Sequence, residues 1–234
     1  EHEENGISHG YDKVIMLAGG IGFGNIKNSI KKKIKKGDYI IVLGGDNYRI
    51  GMGGSSVSSV ATGEYGNSIE LNAVQRANPE MQKRVFNVIR ALGEENINPI
   101  LSIHDHGAGG HLNCLSELLE ESGGFINIEK LPIGDSTLSE KEIIGNESQE
   151  RMGLIIKRKD YNKIVDIALR ERSPLYLVGK ATQDNKLVFK GKNDQKAIDL
   201  SIDDFFGSSP KTIIKDISVK KNFEQPTYYQ SNII

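Results

Sequence analysis

What most constrains the fold of this chain is an alternation. Short apolar runs rich in β-branched residues, closed by glycine or polar residues, take turns with segments whose apolar residues recur at helical spacing. YIIVLGGD (39–46) reads as a buried-type strand ending in glycines, and so does DKVIMLAGG (12–20). A helix then starts with Asn78 as cap, Pro79 at the first helical position and Glu80 near the positive end. Met81, Val85, Val88, Ile89 and Leu92 form its single apolar stripe. NINPILSIHD (96–105) reads as a strand, and Leu112, Leu115, Leu118 and Leu119 mark a second helix running to about Glu121. FINIEK (125–130) alternates like a strand with one wet face. Ser139 and Glu142 fit a capping box, GLIIK (153–157) is strand-like, and DYNKIVDIALRER (160–172) reads as a helix capped by Asp160. LYLVGKA (175–181) and KLVFK (186–190) look like paired strands around Asp184 and Asn185. IELNAVQRA (69–77) reads as extended, residues 1–11 as a loose polar lead-in, and the lysine-rich 27–38 as a solvated face. The sum is an α/β chain: α+β layered, a mixed sheet with flanking helices.

Bulk properties narrow the function. The formal net charge of −1 lacks the basic excess of a nucleic-acid binder. No apolar run approaches the roughly 18 residues of a membrane span, and no signal peptide is visible at the start. The one cysteine, Cys114, rules out a disulfide framework and suits a reducing, cytoplasmic setting. Its apolar-periodic position makes it a packing residue rather than a nucleophile. The first residue is not Met, which suggests an excised piece.

Four stretches could carry chemistry. In SIHDHGAGGHLN (102–113), Asp105 ends a strand, glycines turn the chain, and a helix begins near His111. A plain turn, an anion or Mg²⁺ site and a zinc site are all conceivable. Mg²⁺ accepts one or two protein oxygens alongside phosphate, whereas zinc is disfavoured because His111 would have to fold back to join the other histidines and no cysteine stands beside them in the motif. GMGGSS (51–56) lacks the lysine of a P-loop, yet Gly53, Gly54, Ser55 and Ser56 could touch a phosphate or simply form a close-packed turn. In GNESQERMG (145–153), Glu147, Ser148 and Gln149 could hydrogen-bond an amide or ribose, or lie in a surface loop. Gln75 in AVQRANPEM (73–81) must be paired if buried, to protein or to ligand.

Taken in order, VIMLAGG, VLGGDNYRIGMGGSSVSS, NAVQRANPEMQKR, NPILSIHDHGAGGHLN and GNESQERMGLII resemble the phosphoribosylformylglycinamidine synthase family in its large, single-chain form. The match runs from about residue 10 to about residue 205. The resemblance implies a domain like the C-terminal (B) domain of the aminoimidazole ribonucleotide synthase superfamily. Residues 1–37 would be the lead-in and tail of an A-type domain, 38–210 the B-type synthetase domain, and 211–234 a polar extension. It implies an ATP-dependent ligase that turns formylglycinamide ribonucleotide and glutamine-derived ammonia into the amidine. Gln75, Glu147, Ser148 and Gln149 would contact that substrate, Asp105 would bind Mg²⁺, and ATP would be held mainly by an A domain outside these residues. The partners implied are the remaining synthetase and glutaminase domains. His106 departs from the family pattern, so the three histidines read as packing or solvent residues. The alternative is a free-standing, non-catalytic module of the same fold that binds a phosphorylated metabolite or a partner protein.

Overall fold

A computed structural model describes residues 2–10, 19–61, 63–207 and 210–215. Most of the run 12–20 and of the extension from 211 lies outside them. A mixed seven-stranded sheet is built from β3 (Tyr39–Leu43), β4 (Ile100–Asp105), β5 (Gly124–Asn127), β6 (Met152–Ile156), β7 (Leu175–Ala181), β8 (Lys186–Lys190) and β9 (Lys196–Ser201). Its order is β4-β6-β3-β7-β5-β8-β9, and only the β5–β8 pair is parallel.

The run at 39–43 is apolar throughout because both faces of β3 are covered. Ile40 and Val42 enter one core with Leu115, Leu118 and Leu119 of α4 (Gly110–Leu119). Ile41 and Leu43 enter the other with Val85, Val88 and Leu92 of α3 (Pro79–Gly93) and Ile164 and Ala168 of α6 (Tyr161–Arg170). Both long stripes thus fall where their periodicity requires. Asn78 Oδ1 accepts the Met81 amide at 3.0 Å, as expected of the cap. Asn78→Ala should lower stability by about 1 kcal/mol, read as a shift in urea midpoint. Ser139 and Glu142 close the expected capping box on α5 (Glu140–Ile144).

Several expectations are corrected. The stretch 69–77 is not a strand: α2 (Asn67–Asn72) takes its first four residues, and 73–77 form neither helix nor strand. None of the residues of α2 is buried, and Ile69 and Leu71 face outward, so no periodic stripe could announce it. Strands β7 and β8 are not partners, because β5 lies between them. Gly179 makes this possible: a Cβ there would sit 2.1 Å from the Phe125 carbonyl oxygen. The partner of β8 on its other side is β9, a strand the sequence did not announce. Asp160 makes no capping bond, because it closes a 3-10 turn (Arg158–Asp160) with helical rather than extended angles. The lead-in is a hairpin, β1 (His2–Glu4) and β2 (Ile7–His9), turned at Asn5 and Gly6, both with positive φ. Among the described residues the remaining α-helices are α1 (Gly54–Ser58) and α7 (Ile202–Phe206). Among the described residues, no helix is long and apolar enough to cross a membrane.

Candidate functional site

Antiparallel pairing of β4, β6 and β3 brings the motifs together. Asp105 and Leu43, at the ends of β4 and β3, both sit opposite Met152, the first residue of β6. The loops 44–53, 106–109 and 145–151 therefore leave one end of the sheet side by side. Here the carboxyl ends of β3 and β4 meet the amino end of β6.

At that end Glu147, 5% exposed, joins three segments. Its carboxylate accepts the Ser55 amide at 2.7 Å, the Ser55 hydroxyl at 2.9 Å, Gln75 Nε2 at 2.8 Å and the Gly109 amide at 3.2 Å. One side chain thus lies against the first turn of α1 and the N-cap of α4, where backbone N–H groups have no helical partner. Burial pushes this carboxyl up; the four hydrogen bonds outweigh burial and leave it below the usual glutamate range.

The AVQRANP and NESQER segments also run along each other. The Gln75 carbonyl accepts the Gln149 amide at 2.8 Å, Arg76 Nε donates to Gln149 Oε1 at 2.8 Å, and Glu150 Oε1 accepts the Asn78 amide at 2.7 Å. Ser148 donates its hydroxyl to the Ile50 carbonyl at 3.3 Å.

The glycines owe their place to this packing. A Cβ on Gly54 would lie 2.4 Å from Gln75 Cγ, and one on Gly110 would lie 2.2 Å from the Asn146 carbonyl oxygen. Both Gly54 and Gly110 pack against the chain itself. Gly53 and Ser56 are exposed, while the Ser55 amide and hydroxyl are engaged by Glu147. Two cavities flank this cluster. One of about 1060 Å³ is bordered by Met52, Gly109, Leu112 and Ile144; the other, of about 330 Å³, by Asp46, Asn78, Ser148 and Glu150.

Asp105 stands apart. Its side chain is 68% exposed, and His104 Nδ1 lies 3.6 Å from its Oδ1. Among the described residues, no group of three or more His, Cys, Asp or Glu is placed to hold a metal by itself. What Asp105 offers a hard cation is one open carboxylate, which fits Mg²⁺ only as part of a metal–phosphate complex. His104 pairs with Glu117.

Other residues matter that motif reading passed over. Asn146 is fully buried: its Nδ2 donates to the Tyr48 and Ile50 carbonyls at 2.8 and 2.9 Å. Arg151 is 1% exposed, and its guanidinium donates to the Asn146 carbonyl (2.8 Å), Asn146 Oδ1 (2.7 Å), the Ser148 carbonyl (3.2 Å) and His111 Nε2 (2.9 Å). All four acceptors are neutral. Burial lowers the Arg151 pKa to about 10, which leaves it charged at neutral pH. His106 and His111 are buried with His106 Nε2 and His111 Nδ1 2.8 Å apart, so these two pack inside rather than face solvent. Burial, then the Arg151 charge, holds both well below the usual histidine range. The only signal in the sequence was the crowding of polar residues at 146–151. Cys114 is buried against the Gly153 position, and burial pushes its thiol up, consistent with packing.

Solved structures with the same fold include Thermotoga maritima PurL complexed with FGAR (TM-score 0.66, 23% identity, 86% of this chain and 32% of that chain). Phosphoribosylformylglycinamidine synthase II from Thermotoga maritima is similar (TM-score 0.64, 21% identity, 83% and 30%). So is T. maritima PurL complexed with ATP (TM-score 0.62, 20% identity, 82% and 29%). At these identities the likeness is one of fold, and the chain spans about a third of the length of these structures. Residues 35–192, most of the chain, match the family described as AIR synthase related protein, C-terminal domain, and the chain belongs to that family.

Proposed function

We propose that this chain is the substrate-binding B domain, over about residues 38–210, of an ATP-dependent amidine-forming ligase of de novo purine biosynthesis. The reaction joins formylglycinamide ribonucleotide, ATP and glutamine-derived ammonia to give formylglycinamidine ribonucleotide, ADP and phosphate. The carrying observation is the meeting of Gln75 with Glu147, Ser148 and Gln149 at the sheet end where Asp105 also emerges. A formylated amide and a ribose need mixed donors and acceptors, which amides, a hydroxyl and a carboxylate supply. Gln75 and Gln149 present amides, Ser148 a hydroxyl, and Glu147 holds the other groups in place. Gly53 and Ser56 are the exposed members of the phosphate candidates. Asp105 would supply one oxygen to Mg²⁺ carried on phosphate; the metal would neutralise charge while the amide oxygen is phosphorylated and ammonia displaces the phosphate. The nucleotide-holding groups belong, on this reading, to a neighbouring domain. The 234 residues alone should therefore give no turnover.

The test is ammonia-dependent ADP release by the full-length protein, with and without formylglycinamide ribonucleotide. Release should require that substrate, and Asp105→Asn should raise the Mg²⁺ concentration for half-maximal rate about tenfold or more. Release indifferent to the substrate would contradict the reading. Full turnover by the isolated 234 residues would contradict the domain assignment.

A further inference from the structure

The two buried histidines have no role in the reading above, yet their hydrogen bonds have a definite direction. Arginine has donors only, so His111 Nε2, 2.9 Å from Arg151 Nη1, must be the acceptor. Asn47 Nδ2, 3.4 Å from the same nitrogen, is likewise a donor. The His111 proton is then on Nδ1, which donates to His106 Nε2 at 2.8 Å. His106 in turn carries its proton on Nδ1, which is buried and has no hydrogen-bond partner among the described residues. A protonated His111 would face the Arg151 guanidinium with a donor, so the arrangement requires the neutral ring.

Arg151 completes the link. Three of its four hydrogen bonds end on Asn146 and Ser148, the residues on either side of Glu147. A buried guanidinium is costly unless its donors are met, so losing the His111 lone pair would free it to shift or draw in water.

We propose that His111, with its proton on Nδ1, is a positioning residue for the candidate site: its bare Nε2 fixes Arg151, and Arg151 fixes the 146–148 turn that carries Glu147 and Ser148. The inference rests on the proposed function only for its substrate readout; the positional part stands on the hydrogen bonds.

The experiment is hydrogen–deuterium exchange in the full-length protein, comparing wild type, His111→Leu and His111→Gln. The Glu147 amide is bonded to the Gly51 carbonyl and the Gln149 amide to the Gln75 carbonyl, so both report the turn. His111→Leu should speed exchange at 147–149 by about tenfold or more, while Ile41 and Ile155 in the sheet stay within about twofold. His111→Gln, whose Oε1 can stand where Nε2 stood, should restore slow exchange. In kinetics, His111→Leu should raise the KM for formylglycinamide ribonucleotide about tenfold and leave the KM for ATP within about twofold. Unchanged exchange at 147–149, a uniform rise across the sheet, or failure of glutamine to rescue would overturn the proposal. If His111→Leu does not fold, Arg151→Lys, which keeps the charge and loses the fork, is read by the same criterion at 147–149. If wild type neither binds nor turns over the ribonucleotide, the functional reading fails while the exchange result still decides the positional one.

Discussion

Gly110→Ala is expected to destabilise the protein by roughly 4 kcal/mol, a large part of the 5–15 kcal/mol typical of a domain. Two costs combine. Gly110 has φ +58, a left-handed conformation that costs an L-residue about 1–2 kcal/mol. Its added Cβ would also lie 2.2 Å from the Asn146 carbonyl oxygen and 2.7 Å from the carbonyl carbon, which are backbone atoms that cannot swing aside. Moving Asn146 loosens its bonds to Arg151, Tyr48 and Ile50, each worth about 0.5–1.5 kcal/mol net. Gly63→Ala is the control: φ is +89, but a Cβ there meets nothing within 4 Å, so only the conformational cost applies. Urea midpoints separate the two. Equal losses would mean that the α4 start does not press on the 146 turn as described.

Acid should destabilise the protein before its carboxylates protonate. His106 and His111 are held neutral in the fold by burial and by Arg151, so their folded pKa values are depressed. In the unfolded chain each protonates near pH 6.5. Above that pH both states are neutral and the pair costs nothing. As pH falls below it, the unfolded chain takes up two protons that the folded protein refuses, and stability drops by up to about 1.4 kcal/mol per pH unit for each histidine. Between pH 8 and pH 5 the loss should reach about 4 kcal/mol while both rings stay neutral in the fold. Urea unfolding across this range measures it. A flat profile from pH 8 to pH 5 would contradict the neutral, buried pair.

Both expectations concern contacts that the sequence hid, and the reason is physical. Helical and strand periodicities are local, so α3, α4, the capping box and the buried strands were legible. Pairing is not local: nothing in LYLVGKA or KLVFK reveals that β5 inserts between them. A short helix without a buried face, such as α2, leaves no periodic trace.

The candidate site was half legible in the same sense. The motifs named Gln75, Glu147, Ser148 and Gln149, and the fold brings these four together. What residue types could not reveal is that Glu147 is engaged by Ser55, Gln75 and Gly109, or that Gly54 admits the Gln75 side chain and Gly110 the Asn146 backbone. His106 and His111, read from the sequence only as packing or solvent residues, prove to be packed inside, at the far end of a buried chain from Arg151.

The most direct test of substrate recognition is calorimetric titration of the full-length protein with formylglycinamide ribonucleotide, in wild type and in Gln75→Ala. The dissociation constant should rise about tenfold or more, about 1.4 kcal/mol or greater, with ATP affinity little changed. Equal affinity in the two proteins, or no binding to wild type at millimolar ligand, would contradict a substrate site at Gln75 and Glu147.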